Sequence, residues 1–528
     1  MAMVFDPRRL DELADQLTAT ASELDALAAR IGSLLTTSGR WSSSVAVLAS
    51  VADDQLSRSS DLARRAHWLK TISAFAVLEG RRSPSGETVL EQLERLIAAV
   101  NQAERNGATE AELGEMERQL FEARETIRSL KTDDLVALLD TGTDLSVLFS
   151  SITSQQRAAL VERRAEMLGV DSAAPLDVRV EANRHLIIAT IDRLQDRADQ
   201  YAEEATRLRT SWWPPLIAGP WPPGGSLDLP FSTPYLRSPA EIAADREKQL
   251  RSEVRLLEDL LARQVVHFDW DGAGRVAEWH GPLDAANIAI SIPGTGNSKL
   301  SMATLRTRAE VILANADPDV AVVSAMMYDA PDNLAEAALD RYASAGDIDI
   351  ARFVGSLMSE DRRLVVIGHS YGSTVMGESL LNGLGEQLSP GDDVVILGSP
   401  GVHADHASDL GVAGTIWAAQ VDGDEIAFTG LVHNANCLIV DSLPFRPPGL
   451  ECEYDEIYHH GVNPVHPSFG ATVFETGTIP DVDVGFLEEF GDEHSEYWAM
   501  VNGEPSEALA NLIRIIQADY ESITVVEP

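Results

Sequence analysis

The residues best placed for covalent chemistry are a serine and the glycines two positions to either side of it, in Gly368-His369-Ser370-Tyr371-Gly372-Ser373. An unbroken apolar run, Leu364-Val365-Val366-Ile367, precedes them, and Thr374–Leu381 follows with the character of a helix. The string G-x-S-x-G is weak alone, but strand, sharp turn and helix in that order are the setting of a nucleophile elbow. Gly368 and Gly372 let the two backbones approach without Cβ clashes. The Ser370 hydroxyl is then presented at the carboxyl end of a sheet, near the positive end of the next helix. A serine hydroxyl needs a base to become a nucleophile, and its transition state needs an oxyanion hole.

Candidates for both needs lie elsewhere in the chain. Asn287–Ile292 reads as a strand, and Pro293-Gly294-Thr295-Gly296-Asn297-Ser298 follows it. The expected oxyanion donors are the amide of Tyr371 and an amide within Gly294–Gly296, with Thr295 preferred over Gly294. This loop lacks the Gly-Lys-Ser/Thr ending of a phosphate-binding loop. The acid should follow the second strand after the elbow. Val394–Leu397 is the first and Thr415–Val421 the second, ending in Asp422-Gly423-Asp424-Glu425. Asp424 is the expected acid, Asp422 its alternative, and Asp405, Asp409 and Asp441 are lesser candidates. The expected base is His494, which comes late in the chain as the order serine, acid, histidine requires. His459, His460 and His466 would line the pocket, and His369 would pack beside the elbow. No histidine or cysteine group has zinc-like spacing, so neither a metal nor a cofactor is expected. Cys437 and Cys452 are equally compatible with a disulfide and with two free thiols.

The elements that must hold these residues fall into two kinds. From residue 266, short apolar runs (Ile288–Ile292, Val320–Ser324, Leu364–Ile367, Val394–Leu397) alternate with helical stretches, which specifies a doubly wound, mostly parallel sheet. The hairpin turn Trp270-Asp271-Gly272-Ala273-Gly274 is rich in Asp but lacks the bidentate glutamate of a calcium loop. Residues 6–210 read as helix almost throughout. Leu10, Leu13, Leu17, Leu24, Leu27, Ile31 and Leu34 recur at spacings of three, four and seven, and further helices are expected near 86–104, 109–130, 132–150, 153–168 and 176–210. An elongated all-α bundle buries such stripes most simply. Trp212-Trp213-Pro214-Pro215 and Gly219–Gly225 then stop the helix. The expected domains are a bundle over 1–210, a Pro/Trp-rich linker and connecting helix over 211–265, and a catalytic domain over 266–528. A Pro-, Gly- and aromatic-rich insertion near 425–470 would cap the site, offering Trp417, Phe428, Phe445 and Tyr454 to an apolar group.

Length and charge bound the function. A chain of 528 residues exceeds one core, and 45% hydrophobic residues allow a large one. Lys+Arg total 41 against 83 Asp+Glu, a net charge of −42, which argues against nucleic acid and anionic membranes as partners. The N-terminus has no apolar core of a secretory signal, and no stretch is long and apolar enough to span a membrane.

The segments Ile292–Gly296, Gly368–Ser373, Leu397-Gly398-Ser399-Pro400-Gly401, Phe469-Gly470-Ala471 and His494-Ser495-Glu496-Tyr497 together resemble an actinobacterial α/β-hydrolase family catalogued as the domain of unknown function DUF1023. The resemblance covers roughly residues 266–510, about half the chain. It implies an α/β-hydrolase fold and a serine hydrolase triad, and its Gly-Asp segment favours Asp424. The N-terminal helices resemble, more distantly, the WXG100-like proteins of type VII secretion, although Trp41 is followed by Ser42-Ser43 rather than by the expected glycine.

Two functions follow as expectations. The first is a serine hydrolase that cleaves a carboxylic ester, esterase- or lipase-like, with a small-molecule or lipid-like substrate. The second is a secretion-associated or partner-binding helical protein, an exported effector among them, whose residues 1–210 dock a helical partner or self-associate and whose hydrolase domain is auxiliary. The expected location is the cytoplasm, or outside the cell by a type VII-like route without a cleaved signal peptide.

Overall fold

A computed structural model describes residues 89–105, 110–139, 144–210, 239–337, 340–421, 424, 457–458, 460–478 and 492–526. The leucine stripe of residues 10–34, Trp41, the Pro/Trp-rich segment 211–238, Asp422, both cysteines and residues 425–456 of the expected cap lie outside them. The chain divides into two compact units between Arg164 and Ala165.

In the first unit the described elements are helices: α1 (Val89–Arg105), α2 (Glu110–Arg128), α3 (Thr132–Leu139), α4 (Leu145–Ser151) and the start of α5 (Ser154–Leu168). Leu93, Leu96 and Val100 recur at helical spacing and are buried, as are Leu120, Ile127, Leu135, Leu148 and Leu160. The single helix expected over 132–150 is two. Asp144 begins the second by capping it, its Oδ1 accepting from the amides of Ser146 (2.9 Å) and Val147 (3.2 Å).

The second unit opens with the 35-residue helix α6 (Leu176–Thr210), which packs along α7 (Pro239–Leu260). The sequence pattern groups α6 with the bundle, whereas the helix packs against the sheet at β1. Asn183 Nδ2 donates to Val265 O (3.0 Å), and the buried Arg179 Nε donates to Val266 O (3.0 Å). Those carbonyls belong to β1 (Gln264–Asp269), the edge strand of the sheet among the described residues, whose outer backbone groups need partners.

Among the described residues the main sheet has eight strands: β1, β2 (Arg275–His280), β3 (Asn287–Ile292), β4 (Val320–Met326), β5 (Arg363–His369), β6 (Asp393–Leu397), β7 (Ile416–Ala419) and β8 (Thr472–Val473). Their order across the sheet is β1-β2-β4-β3-β5-β6-β7-β8. Strand β2 is antiparallel to both neighbours, and every pair from β4 to β8 is parallel. This is the mostly parallel sheet that the alternating pattern specifies, arranged as the resemblance to α/β hydrolases implies. Residues of β4, β5 and β6 are buried on both faces, which explains their continuous apolar sequence. Helices α8 (Met302–Asn315), α9 (Arg341–Gly355), α10 (Tyr371–Ser379) and α11 (Glu507–Ile516) connect or cover the strands. The Asp-rich hairpin turn is occupied by a side chain of the protein itself: Lys299 Nζ donates to Trp270 O (2.6 Å) and Gly272 O (2.9 Å). Among the described residues, no helix is long and apolar enough to cross a membrane.

Candidate active site

Ser370 stands between β5 and α10 with φ 55° and ψ −134°, a conformation that L-residues rarely adopt. Three glycines make room for it. A Cβ at Gly368 would meet Ser373 Cα at 2.5 Å, and one at Gly372 would meet Ile292 O at 2.4 Å. A Cβ at Gly294 would lie 2.5 Å from Ser370 Cβ and 2.9 Å from Ser370 Oγ, so the loop after β3 passes directly over the serine. The turn is held by its neighbours: Ser370 N donates to Leu397 O at the end of β6 (2.9 Å), and Ser373 Oγ donates to Ser370 O (2.6 Å). Strain of this kind persists only where surrounding contacts over-determine the backbone.

The loop over the serine is itself pinned. Tyr328 Oη donates to Pro293 O (2.7 Å), Gly296 N donates to Pro331 O (2.8 Å), and Asn297 Nδ2 donates to Gly294 O (3.1 Å). The amides of Gly294 and Thr295 donate to no backbone carbonyl among the described residues. Thr295 is buried.

Asp424 and His494 come together from positions 70 residues apart, with His494 Nδ1 2.7 Å from Asp424 Oδ1. A carboxylate only accepts, so Nδ1 carries the proton, and in the neutral ring Nε2 is left as a lone pair. His494 Nε2 is buried with no hydrogen-bond partner. The second oxygen of Asp424 accepts from Tyr497 Oη (2.7 Å), which in turn accepts from Val421 N (3.1 Å). Both rings border Gly398, whose φ is 51°. A Cβ there would meet Asp424 Oδ2 at 2.7 Å, His494 Cε1 at 3.0 Å and Tyr497 Oη at 3.0 Å. Gly398 directly follows Leu397, the residue whose carbonyl holds the Ser370 amide, so the acid–imidazole pair stands at the same strand end as the serine.

His369 packs against His494, its ring centroid 4.6 Å from that of His494 and 4.8 Å from Trp498. Its Nε2 donates to His494 O (2.9 Å). Burial, reinforced by His494 and Arg308, holds its pKa well below the usual histidine value, so the ring is neutral.

Other candidates stand elsewhere. Asp409 Oδ2 accepts from His406 N (3.0 Å) and closes a local turn. His466 Nδ1 accepts from the Ser468 amide (3.2 Å) in an exposed turn. Trp417, expected to meet substrate, is instead buried against Tyr520, stacked at 5.9 Å, because its side of β7 faces the α11 core. Phe428, Phe445, Tyr454, Asp441 and His459 lie outside the described residues. Gly398 and Tyr497 lie in segments that carry the family resemblance, but the sequence gives neither a role, since nothing local in them points to Asp424.

Residues 269–433 match the model of a family described as alpha/beta hydrolase, the same family as DUF1023. Over 299 residues the chain is 27% identical to an uncharacterized protein of Mycobacterium tuberculosis, covering 53% of this chain and 43% of that protein. Over 151 residues it is 34% identical to an uncharacterized protein of Mycobacterium bovis, covering 27% of this chain and 54% of that protein. The chain thus spans about half the length, or less, of these relatives.

Proposed function

We infer, from the premise that the C-terminal region of this chain is an α/β hydrolase, that it is a serine hydrolase acting on a carboxylic ester. Ser370 is the nucleophile, His494 the base and Asp424 the group that orients and stabilises the imidazole. The observation that carries this reading is the Asp424–His494 hydrogen bond of 2.7 Å, with the opposite ring nitrogen buried and unpartnered.

As Ser370 Oγ bonds to the acyl carbon, its proton passes to His494 Nε2, and the carbonyl π electrons move onto oxygen. The amide of Tyr371, with that of Thr295 or Gly294, donates to this oxyanion. Collapse expels the alcohol, which takes the proton from Nε2 and leaves an acyl-serine. Water then attacks, again giving a proton to His494, and the carboxylic acid departs as Ser370 recovers its hydrogen. Asp424 stays ionised throughout, held by Tyr497 and the imidazole. An uncharged acyl or lipid-like group suits a chain of net charge −42 better than an anionic substrate.

The test is labelling by a fluorophosphonate probe together with hydrolysis of p-nitrophenyl esters of graded chain length. Wild-type protein should be labelled and active, and Ser370→Ala neither. Equal labelling of both proteins would remove the serine from this role.

A further inference from the structure

Outside the proposed catalytic groups, one set of side chains among the described residues converges on a single point: Asp340, His403 and His460. Asp340 precedes α9, His403 lies in the loop after β6, and His460 lies between the short paired strands Ile457–Tyr458 and Gly461–Val462. Asp340 Oδ1 is 3.0 Å from His460 Nδ1 and 3.3 Å from His403 Nε2, and the two nitrogens are 3.1 Å apart.

The proton inventory of this triangle is informative. The far nitrogen of each ring already has an acceptor: His403 Nδ1 is 2.8 Å from Glu378 Oε2, and His460 Nε2 is 2.7 Å from Ala337 O. Carboxylate and carbonyl oxygens cannot donate, so those nitrogens hold the ring protons. In the neutral rings, His403 Nε2 and His460 Nδ1 are therefore the acceptor nitrogens. They face each other and a carboxylate oxygen, all within 4.8 Å of one another. A ligating histidine typically has this arrangement, its second N–H given to a carboxylate or a backbone carbonyl. The spacing fits as well. Four ligands held tetrahedrally at ~2.0–2.1 Å stand about 3.3 Å apart, against the observed 3.0, 3.1 and 3.3 Å.

We propose that Asp340, His403 and His460 bind a divalent cation of the zinc class, with Glu378 and Ala337 O fixing the two imidazoles. Two nitrogens and a carboxylate oxygen are a ligand set suited to Zn²⁺. The Asp340 side chain is 71% exposed while that of His460 is 1% exposed, so the cation enters, and keeps an open position, on the Asp340 side. The site joins three stretches of chain. His460 packs edge-on to Tyr371 (5.3 Å), and its amide donates to Pro400 O (3.1 Å). The cation would therefore fasten this hairpin to the helix that follows the elbow.

The experiment uses the full chain, freed of any affinity tag and stripped with a chelator, and measures uptake of Zn²⁺ and the visible absorption of added Co²⁺. Wild type should take up one equivalent, show a Co²⁺ band and melt at a higher temperature with Zn²⁺ than without. Asp340→Asn, at an exposed position with little consequence for folding, and His403→Gln should each lose more than ~100-fold in affinity, since even second-shell losses cost ~10–100-fold. Their melting temperatures should no longer respond to zinc. Wild-type protein that takes up neither metal, or uptake undiminished in both variants, overturns the site and makes the cluster a set of hydrogen bonds between two histidines and a carboxylate. The readouts are independent of ester hydrolysis.

Discussion

His494 and His403 are built alike on one side and differ on the other. Each gives its Nδ1 proton to a carboxylate, Asp424 at 2.7 Å and Glu378 at 2.8 Å. Around His494 the second nitrogen is buried and unpartnered, beside the strand end that holds Ser370. Around His403 it meets a second imidazole at 3.1 Å and a carboxylate at 3.3 Å. The carboxylate fixes the tautomer in both places, and the use of the ring is decided by what faces the remaining lone pair. A single open direction suits proton transfer to a hydroxyl, and convergence of three acceptors suits a cation.

The largest effect expected from this contrast is at the serine. Ser370→Ala should lower kcat for a p-nitrophenyl ester by about 10⁶, the scale on which a triad nucleophile is lost. Steady-state kinetics on protein with unchanged circular dichroism measures it. Retention of more than a tenth of the rate means another nucleophile is at work. Replacing the carboxylate proposed to orient His494 comes next. Asp424→Asn leaves an amide whose NH₂ can stabilise the wrong tautomer, with an expected loss of about 10⁴ in kcat. A loss below tenfold would assign the orienting role to another acid, with Asp422 the first to replace. The matching deletion in the other cluster is milder, because Glu378 acts at one remove. Glu378→Gln should weaken zinc binding by ~10–100-fold, read by competition with a chromophoric chelator. Unchanged affinity would separate Glu378 from the site while leaving its three ligands in place.

These two places also differ in how far the sequence discloses them. The elbow is a local string, so Gly368, Ser370 and Gly372 are visible in it, and the continuous apolar runs disclose the parallel sheet for the same local reason. Asp424 and His494 are reached through chain order on this fold. Gly398 and Tyr497 are not, since their contacts with Asp424 exist only after β6, β7 and the turn at 492–498 are assembled. Asp340, His403 and His460 are invisible for the same reason, as no two are near in sequence. Helix α6 shows another limit. Its apolar face is legible, but the Pro/Trp segment after it marks a stop without revealing that Arg179 and Asn183 reach the β1 edge.

A histidine with neither arrangement gives the smallest effect and a control for both. His280 closes β2, with Nε2 3.1 Å from Ser324 Oγ. Burial, with Arg306 and Arg263 nearby, lowers its pKa from 6.5 to about 4. Glu278 Oε1 lies 3.7 Å from His280 Nδ1, beyond hydrogen-bond reach, and its carboxylate is held by Arg306 in a two-pronged ion pair of 2.8 and 3.0 Å. The native ring therefore stays neutral down to about pH 4, while the unfolded ring gains a proton below 6.5. The unfolded state binds more protons in that window, so the contribution of His280 to stability is full above pH 6.5 and declines as the pH falls towards 4. The slope is at most about 1.4 kcal/mol per pH unit. Urea unfolding of wild type and His280→Gln across this window isolates it, because the other buried histidines cancel in the difference. The variant should show the shallower loss on acidification, and parallel curves would mean that His280 takes up its proton equally well in the folded protein.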